Sequence, residues 1–406
     1  MKLLFKNKNF RLLWISQVIS NIGDWLNAIA IPLLVLRLTN SPIAVSFYMV
    51  SRFIPNILFS SVTGILVDKF NRKKIMIFSD LGRFCIFLLY PYTTNVYQVY
   101  GLAFLATIFT LLFEPAKSAT IPNIVEEDKL LEANSISSST ASLMRLLGTA
   151  VGGILITTLD LKVTFYINSI TFIISALTVF FIRVSDNKMS SSTEKERDSI
   201  SGQLKQGFSA ILSDKLLSTL IFMDALSIVG YGFLNVLLPI FAIKVLTNSE
   251  SAYGFIMSFF SSGLFIGSLL MNKISQKKSL PILWCIGLTL SGITQIFFGL
   301  SYSIIIAAVF IFMTGFGDAI QIVSYSTIRH KIVPDNLRGR VFSIAEGINS
   351  GALLIGMGST GFLLNIINAR ILTIFSGTLI LISGFISFVA FRRVFNNASA
   401  GSEVST

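Results

Sequence analysis

The chain has 406 residues, of which 53% are hydrophobic and only 13% are charged, and its mean hydropathy is +0.76. A soluble protein of this size carries about 25% charged residues, so the composition excludes an ordinary soluble fold. The formal net charge of +12 does not require a nucleic-acid partner, because most of the 32 Lys and Arg residues fall in segments that we predict to be cytoplasmic. We therefore expect a multi-pass membrane protein with both termini in the cytoplasm.

Twelve apolar segments are each long enough to cross a bilayer as a helix, which takes roughly 20 residues for a hydrocarbon core of about 30 Å. None of them alternates with the period of a β-strand, which argues against a barrel. In chain order, the predicted helices cover about residues 10–36, 42–67, 74–93, 97–116, 134–158, 162–183, 215–245, 253–272, 280–300, 303–328, 338–366 and 369–391. The predicted fold class is an all-α membrane protein with twelve transmembrane helices in two pseudo-symmetric six-helix bundles.

Polar segments divide the chain into domains. Residues 184–205 are rich in Ser and charged residues and cannot build a core. We predict a cytoplasmic linker there, with an amphipathic surface helix at about residues 203–214. The predicted domains are an N-terminal bundle at 1–183, the linker at 184–213, a C-terminal bundle at 214–395 and a polar tail at 396–406.

The two halves also share short stretches of sequence. Residues 31–41 resemble residues 238–249: each stretch has proline in second place and ends in Thr-Asn-Ser, and the second stretch is one residue longer. Residues 119–121 (Ala-Thr-Ile) and 326–328 (Ser-Thr-Ile) match at the separation of the two prolines. These matches indicate a duplicated six-helix unit.

A basic hairpin joins the second and third predicted helices, with the sequence Gly-Ile-Leu-Val-Asp-Lys-Phe-Asn-Arg-Lys-Lys from Gly64 to residue 74. Gly64 permits close helix approach, and Asp68 can accept hydrogen bonds from backbone donors at a nearby helix start. Arg72 opens a run of three basic residues that marks the cytoplasmic side. The spacing resembles the major facilitator superfamily signature G-x-x-x-D-[RK]-x-G-[RK]-[RK], with Asn71 in place of the second Gly. Asn tolerates left-handed backbone angles, so we expect this departure to be mild.

The resemblance implies a parallel repeat of six helices around a substrate site near the middle of the bilayer. The fifth predicted helix carries Gly148, Gly152 and Gly153 in the order Gly-Thr-Ala-Val-Gly-Gly, which resembles the superfamily's antiporter motif G-P-x-x-G-G with Thr149 in place of Pro. That motif is associated with exporters, whereas the alternative interpretation is generic packing of small residues. Residues 9–14 and 23–25, together with residues 338–342, resemble the branch that contains macrolide-efflux and enterobactin-exporter proteins.

Charged side chains inside the predicted helices are the candidate functional residues, because each costs roughly 2.5–3.5 kcal/mol or more at the bilayer centre unless it has a partner or a water-filled cavity. Asp24 lies near the middle of the first helix, with Asn21 and Asn27 three residues to either side. We interpret it as a carboxylate that carries a proton or binds a cationic substrate; a permanent ion pair with Arg52 is the alternative. The predicted proton-coupling or substrate-binding residues are Asp24, Arg52, Arg145, Asp224, Asp318 and Glu346.

A second set of residues lies nearer the predicted cytoplasmic ends of the helices. A similar cluster in the superfamily stabilises the outward-facing state, so the resemblance implies a conformational latch. The predicted latch residues are Gly64, Asp68, Arg72, Asp80, Arg83 and Glu114.

The sequence contains no G-x-x-x-x-G-K-[ST] motif, so we expect energy to come from a proton gradient and not from ATP. We expect no metal or other cofactor, and because the single histidine, His330, falls in a predicted loop, carboxylates must carry the proton. The predicted function is export of an amphipathic small molecule (a drug, macrolide-like or siderophore-like compound) by proton antiport, and the chain is not expected to be an enzyme. The expected partners are this substrate and the lipid bilayer of a bacterial cytoplasmic membrane, with no nucleic acid and a monomeric state. Two alternatives are a symporter or facilitator that imports a nutrient, and a non-transporting receptor or scaffold.

Overall fold

The computed structural model describes residues 2–158, 160–183, 200–247, 249–276, 279–334 and 337–402. The regular secondary structure of these residues is helical. Helices satisfy their own backbone N–H and C=O groups, which is why long apolar segments adopt them in a bilayer. Eleven helices in the described part of the chain are long and apolar enough to cross a membrane. A further helix of 29 residues, Leu130–Thr158, lies where the fifth spanning helix is predicted.

Contacts within the chain define two compact units: unit 1 is Met1–Ser191 with Ser249–Ser258, and unit 2 is Ser192–Asn248 with Phe259–Thr406. The first seven helices lie in unit 1: α1 (Lys2–Lys6), α2 (Lys8–Thr39), α3 (Pro42–Lys69), α4 (Arg72–Leu89), α5 (Val96–Ile124), α6 (Leu130–Thr158) and α7 (Leu161–Phe180). The other seven are α8 (Ile200–Ser213), α9 (Lys215–Ile240), α10 (Ser251–Ile274), α11 (Leu280–Leu300), α12 (Ile304–Ile332), α13 (Arg338–Leu363) and α14 (Ala369–Ser402). The first turns of α10 belong to unit 1 and the remainder to unit 2.

Polar side chains fix the starts of several helices. Asn7 begins α2, Asn71 begins α4 and Asp214 begins α9, and each side chain accepts a hydrogen bond from a backbone N–H group of the first turn. The first turn of a helix leaves these donors without a partner inside the helix, so such caps stabilise the start.

The two units repeat one pattern of neighbouring helices. In unit 1, α2 packs against α6 and α7, and α4 packs against α5 and α7. In unit 2, α9 packs against α13 and α14, and α11 packs against α12 and α14. Each of these helices in unit 1 has its counterpart seven places later, as the repeat in the sequence predicts.

The ends of α2 and α9 differ in one detail. Phe241–Thr247 forms a π-helical turn directly after α9, and the Thr247 hydroxyl donates to the Ala242 carbonyl over 3.3 Å, five residues back. At the end of α2, the Thr39 hydroxyl donates to the Val35 carbonyl over 2.7 Å, four residues back. The π geometry therefore places one more residue in this turn than an α-helix does.

The basic hairpin departs from the prediction at two positions. Asn71 has φ −60° and ψ 116°, which is not left-handed, and its side chain accepts a hydrogen bond of 3.1 Å from the Lys74 backbone N–H. Asn71 thus caps the helix, a role predicted for Asp68, which lies exposed in the last turn of α3. Among the described residues, no atom outside the backbone of its own helix and its chain neighbours lies within 4 Å of the position that a Cβ would take at Gly64, and close helix approach at this glycine stays a prediction.

Helix ends account for the other differences. α5 continues to Ile124 through Pro115 and Pro122, so the loop predicted to follow residue 116 starts too early. A polar segment ends the membrane-spanning part of a helix but does not end the helix itself. The prediction placed both ends at the same residue. His330 lies in the last turn of α12 and not in a loop, and α14 is helical into the predicted polar tail. Of the predicted linker, residues 184–199 lie outside the described residues, and α8 covers the predicted amphipathic helix.

Candidate functional site

Unit 1 contains a cavity of about 320 Å³ in the region of Asp24. Its walls come from α2, α3, α4 and α5, and from the turn after α4. The polar lining residues are Asn21, Asp24, Asn27, Arg52, Thr107, Thr110 and Glu114, and the aromatic ones are Trp25, Tyr48, Phe87 and Tyr90. Charged and aromatic side chains therefore meet in one small space among membrane helices.

Asp24 shares a buried arginine with a second acid. The Asp24 side chain is 41% exposed, and one of its oxygens lies 3.9 Å from the Arg83 guanidinium, which is only 3% exposed. Arg83 donates a shorter hydrogen bond, 2.5 Å, to Asp80, which is fully buried. The Ser175 hydroxyl donates to the other Asp80 oxygen over 2.6 Å. Arg83 therefore forms its shorter ion pair with Asp80 and a longer one with Asp24.

Two aromatic rings hold Arg83 in place. Its guanidinium carbon lies 4.6 Å from the ring centre of Phe113 and 4.3 Å from that of Phe172. Planar guanidinium groups stack well on ring faces, and the stacking is stronger where water is excluded. Asp80 and Arg83 lie about 12–17 Å along α4 from its first residue, at 1.5 Å per residue. They do not join the hairpin cluster predicted for them; they join Asp24.

The other predicted latch residues lie apart from this pair. Glu114 lines the cavity and forms an ion pair with Lys117. Arg72 donates a hydrogen bond of 2.8 Å to the backbone carbonyl of Ala119 on α5. Whether Asp68, Arg72 and Glu114 latch one conformation stays a prediction.

Arg52 and Asn27 face the cavity with Asp24. The charge of Arg52 interacts with the Tyr48 hydroxyl and with the Asp24 carboxylate. Asn27 is 2% exposed, and among the described residues neither its Nδ2 nor its Oδ1 atom has a hydrogen-bond partner. Arg145 is not among the lining residues of this cavity, but its guanidinium carbon lies 4.6 Å from the ring centre of Trp25, which is.

The glycine motif of α6 faces α2. A Cβ at Gly148 would lie 2.6 Å from the Trp25 Cβ, and one at Gly152 would lie 3.3 Å from the Ile29 Cδ1. Small residues at these positions let α6 approach the helix that carries Asp24. Gly153 is helical, and its surroundings lie outside the described part of the structure. The link between this motif and antiport stays a prediction.

Unit 2 buries a carboxylate among neutral amides. Asp224 is 2% exposed; Gln321 Nε2 donates to its Oδ1 over 2.6 Å, and Asn349 Nδ2 donates to its Oδ2 over 3.0 Å. In the described chain, no ion pair within 4 Å includes Asp224. The close donors therefore satisfy its oxygens without neutralising its charge.

The two other acids predicted for this half differ in surroundings. Asp318 is 4% exposed and accepts hydrogen bonds from the Tyr231 hydroxyl over 2.7 Å and from the Ser291 hydroxyl over 2.5 Å. Glu346 is 63% exposed and lies 3.0 Å from the Arg329 guanidinium. Glu346 is thus a solvent-accessible partner of an arginine, unlike the buried Asp224 and Asp318.

A larger groove, of about 1130 Å³, lies in unit 2 between α8 and α13. Its lining residues are Phe208, Ser209, Leu212, Ser213, Ser343, Ile344, Gly347 and Ile348. None of them is charged, so the groove offers no group that could couple transport to protons. The smaller cavity of unit 1 is therefore the candidate site.

The buried acids of unit 2 were predicted from the sequence, but their neutral hydrogen-bond partners were not. Gln321 follows Asp318 by three residues, and Asn349 follows Glu346 by three residues. This spacing places each amide on the same helix face as an acid, so polar stripes on α12 and α13 were a usable signal. The aromatic lining of the cavity had no such signal, because aromatic residues are spread through all the apolar segments.

The sequence profile of the family described as "Transmembrane secretion effector" matches residues 4–404. The chain belongs to this family of major facilitator transporters. This transporter is 26% identical over 384 residues to macrolide efflux protein A of Streptococcus pyogenes, covering 92% of the chain and 93% of that protein. It is 27% identical over 394 residues to the putative bacilysin exporter BacE of Bacillus subtilis, covering 93% of the chain and 92% of that protein.

Among solved structures, the nucleoside transporter NupG superposes on the transporter with a TM-score of 0.74 at 12% identity, covering 94% of this chain and 99% of that chain. At this identity the likeness shows the fold alone. The predicted major facilitator fold is confirmed, and so is the prediction that the protein is a multi-pass membrane transporter and not an enzyme.

Proposed function

We propose that this transporter exports an amphipathic small molecule from a bacterial cytoplasm in exchange for protons, by alternating access. Relatives named as a macrolide efflux protein and a putative bacilysin exporter support the direction of transport and a role in resistance to antibiotics. The basic segments of the sequence support cytoplasmic termini. We further propose that one chain completes the cycle without a bound cofactor.

The observation that carries this proposal is the Asp24 carboxylate, which opens into a cavity among membrane helices; in the described part of the chain its one ion pair within 4 Å is with Arg83, which Asp80 shares. An ionised carboxylate in such a place is costly, and binding of a proton removes the charge. Proton and substrate then compete for the same group, and each favours a different conformation.

Asp224 is the second carboxylate proposed to carry a proton. Its hydrogen bonds from Gln321 and Asn349 leave its charge without a close cation. Glu346 has weaker support, since it is exposed and paired with Arg329.

The test uses inverted membrane vesicles and a panel of macrolides, dyes and siderophores, with and without a pH gradient. We expect gradient-dependent accumulation of at least one compound by the unchanged protein, and loss of that accumulation in Asp24→Asn at equal protein level. Asp224→Asn is tested in parallel, and Asp128→Asn, which changes an exposed carboxylate outside the cavity, serves as the matched control that keeps transport. Normal proton coupling in both Asp→Asn variants would contradict the proposal, and substrate-induced proton movement in the opposite sense would favour import.

A further inference from the structure

The cavity of unit 1 holds more charge than its ion pairs account for. Glu114 is paired with Lys117, and Arg83 is paired with the buried Asp80. Asp24 and Arg52 remain, one carboxylate and one guanidinium that both line the cavity and that interact with each other only over more than 4 Å. Among the described residues, no ion pair within 4 Å joins Arg52 to an acid, and the nearest cation to Asp24 is the already engaged Arg83 at 3.9 Å.

Asn27 adds a second and independent observation. It follows Asp24 by three residues on α2, so the two lie on one helix face. Its amide is 98% buried and lines the cavity, yet within the described part of the chain its donor and its acceptor both lack a partner. Buried polar groups in proteins are nearly always hydrogen-bonded, so an unsatisfied amide at a cavity wall points to a ligand.

We propose that this cavity binds the zwitterionic head of a small peptide-like substrate, an inference that rests on the proposed export function. The substrate's ammonium group pairs with Asp24, its carboxylate pairs with Arg52, and its amide bond meets the side chain of Asn27. Arginine suits this role because its planar fork can hold a carboxylate through two hydrogen bonds.

The charges of the cavity favour a zwitterion over either single ion. A substrate with only an ammonium group leaves Arg52 without a counter-charge, and one with only a carboxylate does the same to Asp24. In a low-dielectric site an uncompensated ion is costly, whereas a zwitterion compensates both groups at once. At about 320 Å³ the cavity is at the lower end of the range of ligand pockets, about 300–1,000 Å³, which suits a small head group.

Aromatic rings complete the cavity around these polar groups. Tyr48, Phe87 and Tyr90 line it together with Trp25. Ring faces attract an ammonium group and also cover apolar side chains of a ligand. The expected substrate is therefore a zwitterion that carries an apolar or aromatic side group.

The experiment compares three forms of one compound by isothermal titration calorimetry on the full-length protein in lipid nanodiscs. L-alanyl-L-phenylalanine carries both charges, its methyl ester lacks the carboxylate, and its N-acetyl derivative lacks the ammonium group. We expect the dipeptide to bind at least about tenfold more tightly than either derivative. Arg52→Gln should abolish the preference over the ester, and Asp24→Asn should abolish the preference over the N-acetyl form. Lys162→Gln, which changes an exposed cation outside the cavity, should leave all three affinities unchanged.

Absence of dipeptide binding, or equal binding of the three compounds to the unchanged protein, overturns the inference without the need for any variant. A preference that survives in both Arg52→Gln and Asp24→Asn also overturns the inference, because other residues would then recognise the charged groups of the dipeptide. Gradient-driven accumulation of a dye or macrolide without dipeptide preference would leave export standing and remove the zwitterion. Dipeptide preference without gradient-driven accumulation of any substrate, the dipeptide included, would support the zwitterion site and contradict proton-driven export.

Discussion

Gln321 donates a hydrogen bond of 2.6 Å to Asp224, although 97 positions of sequence separate the two residues. The contact joins α12 to α9 inside unit 2. It gives a buried carboxylate a donor without giving it a counter-charge, so both the stability of unit 2 and the protonation of Asp224 depend on it.

We expect Gln321→Leu to destabilise the protein by about 1–3 kcal/mol, because it removes one donor from a buried carboxylate. Thermal unfolding of the purified protein in detergent would measure the change. The double variant Gln321→Leu with Asp224→Asn should lower the free energy of unfolding by less than the sum of the two single losses, because both single changes remove the same interaction. Strict additivity would show that the hydrogen bond contributes nothing measurable.

Arg83→Ala should be much more damaging, by about 3–5 kcal/mol, because it leaves Asp80 buried without its cation. Arg83→Lys keeps the charge and loses the planar stacking on the two rings, so its loss of stability should be intermediate. Expression level and melting temperature report both effects. Adding Asp80→Asn to Arg83→Ala should recover part of the loss, and no recovery would argue against the pair as the cause.

Two glycines allow a matched comparison. Gly148→Ala places a Cβ at 2.6 Å from the Trp25 Cβ, so we expect a loss of about 1–3 kcal/mol from overpacking between α6 and α2. The Cβ of Gly64→Ala meets no described atom within 4 Å outside its chain neighbours and the backbone of its own helix, so this change should instead stabilise α3 by up to about 1 kcal/mol through helix propensity. Melting temperatures should therefore move in opposite directions. A similar drop for both would mean that glycine at residue 64 has a role that its surroundings do not reveal.

Asn71→Ala should cost about 0.5–2 kcal/mol by removing the cap of α4. Asn71→Asp supplies an equally good cap and should retain the stability. Hydrogen exchange of the backbone amides in the first turn of α4, measured by mass spectrometry, would localise the effect. Equal exchange in the alanine and aspartate variants would count against the cap.

The sequence predicted the helices well because span length and hydropathy are local properties. It also found the buried charges, since a charged residue stands out in an apolar segment. It could not assign their partners: Arg83 pairs within its own helix and also reaches Asp24, 59 positions away. Such a choice depends on how helices rotate against one another, which periodicity alone does not fix. The unsatisfied amide of Asn27 likewise could not be predicted, because a residue's type does not show whether its side chain has a hydrogen-bond partner in the fold.

The π-helical turn after α9 explains how the two halves remain alike in spite of unequal length. Seven steps lead from Pro32 to Thr39, and eight lead from Pro239 to Thr247. An extra residue in an α-helix would rotate everything after it by about 100°. The wider turn absorbs it, and both threonines still return a hydroxyl to the carbonyl one turn back. The second copy thus holds one more residue than the first while its later residues keep the same helix face, and deletion of one residue within 241–246 should return it to an unbroken α-helix.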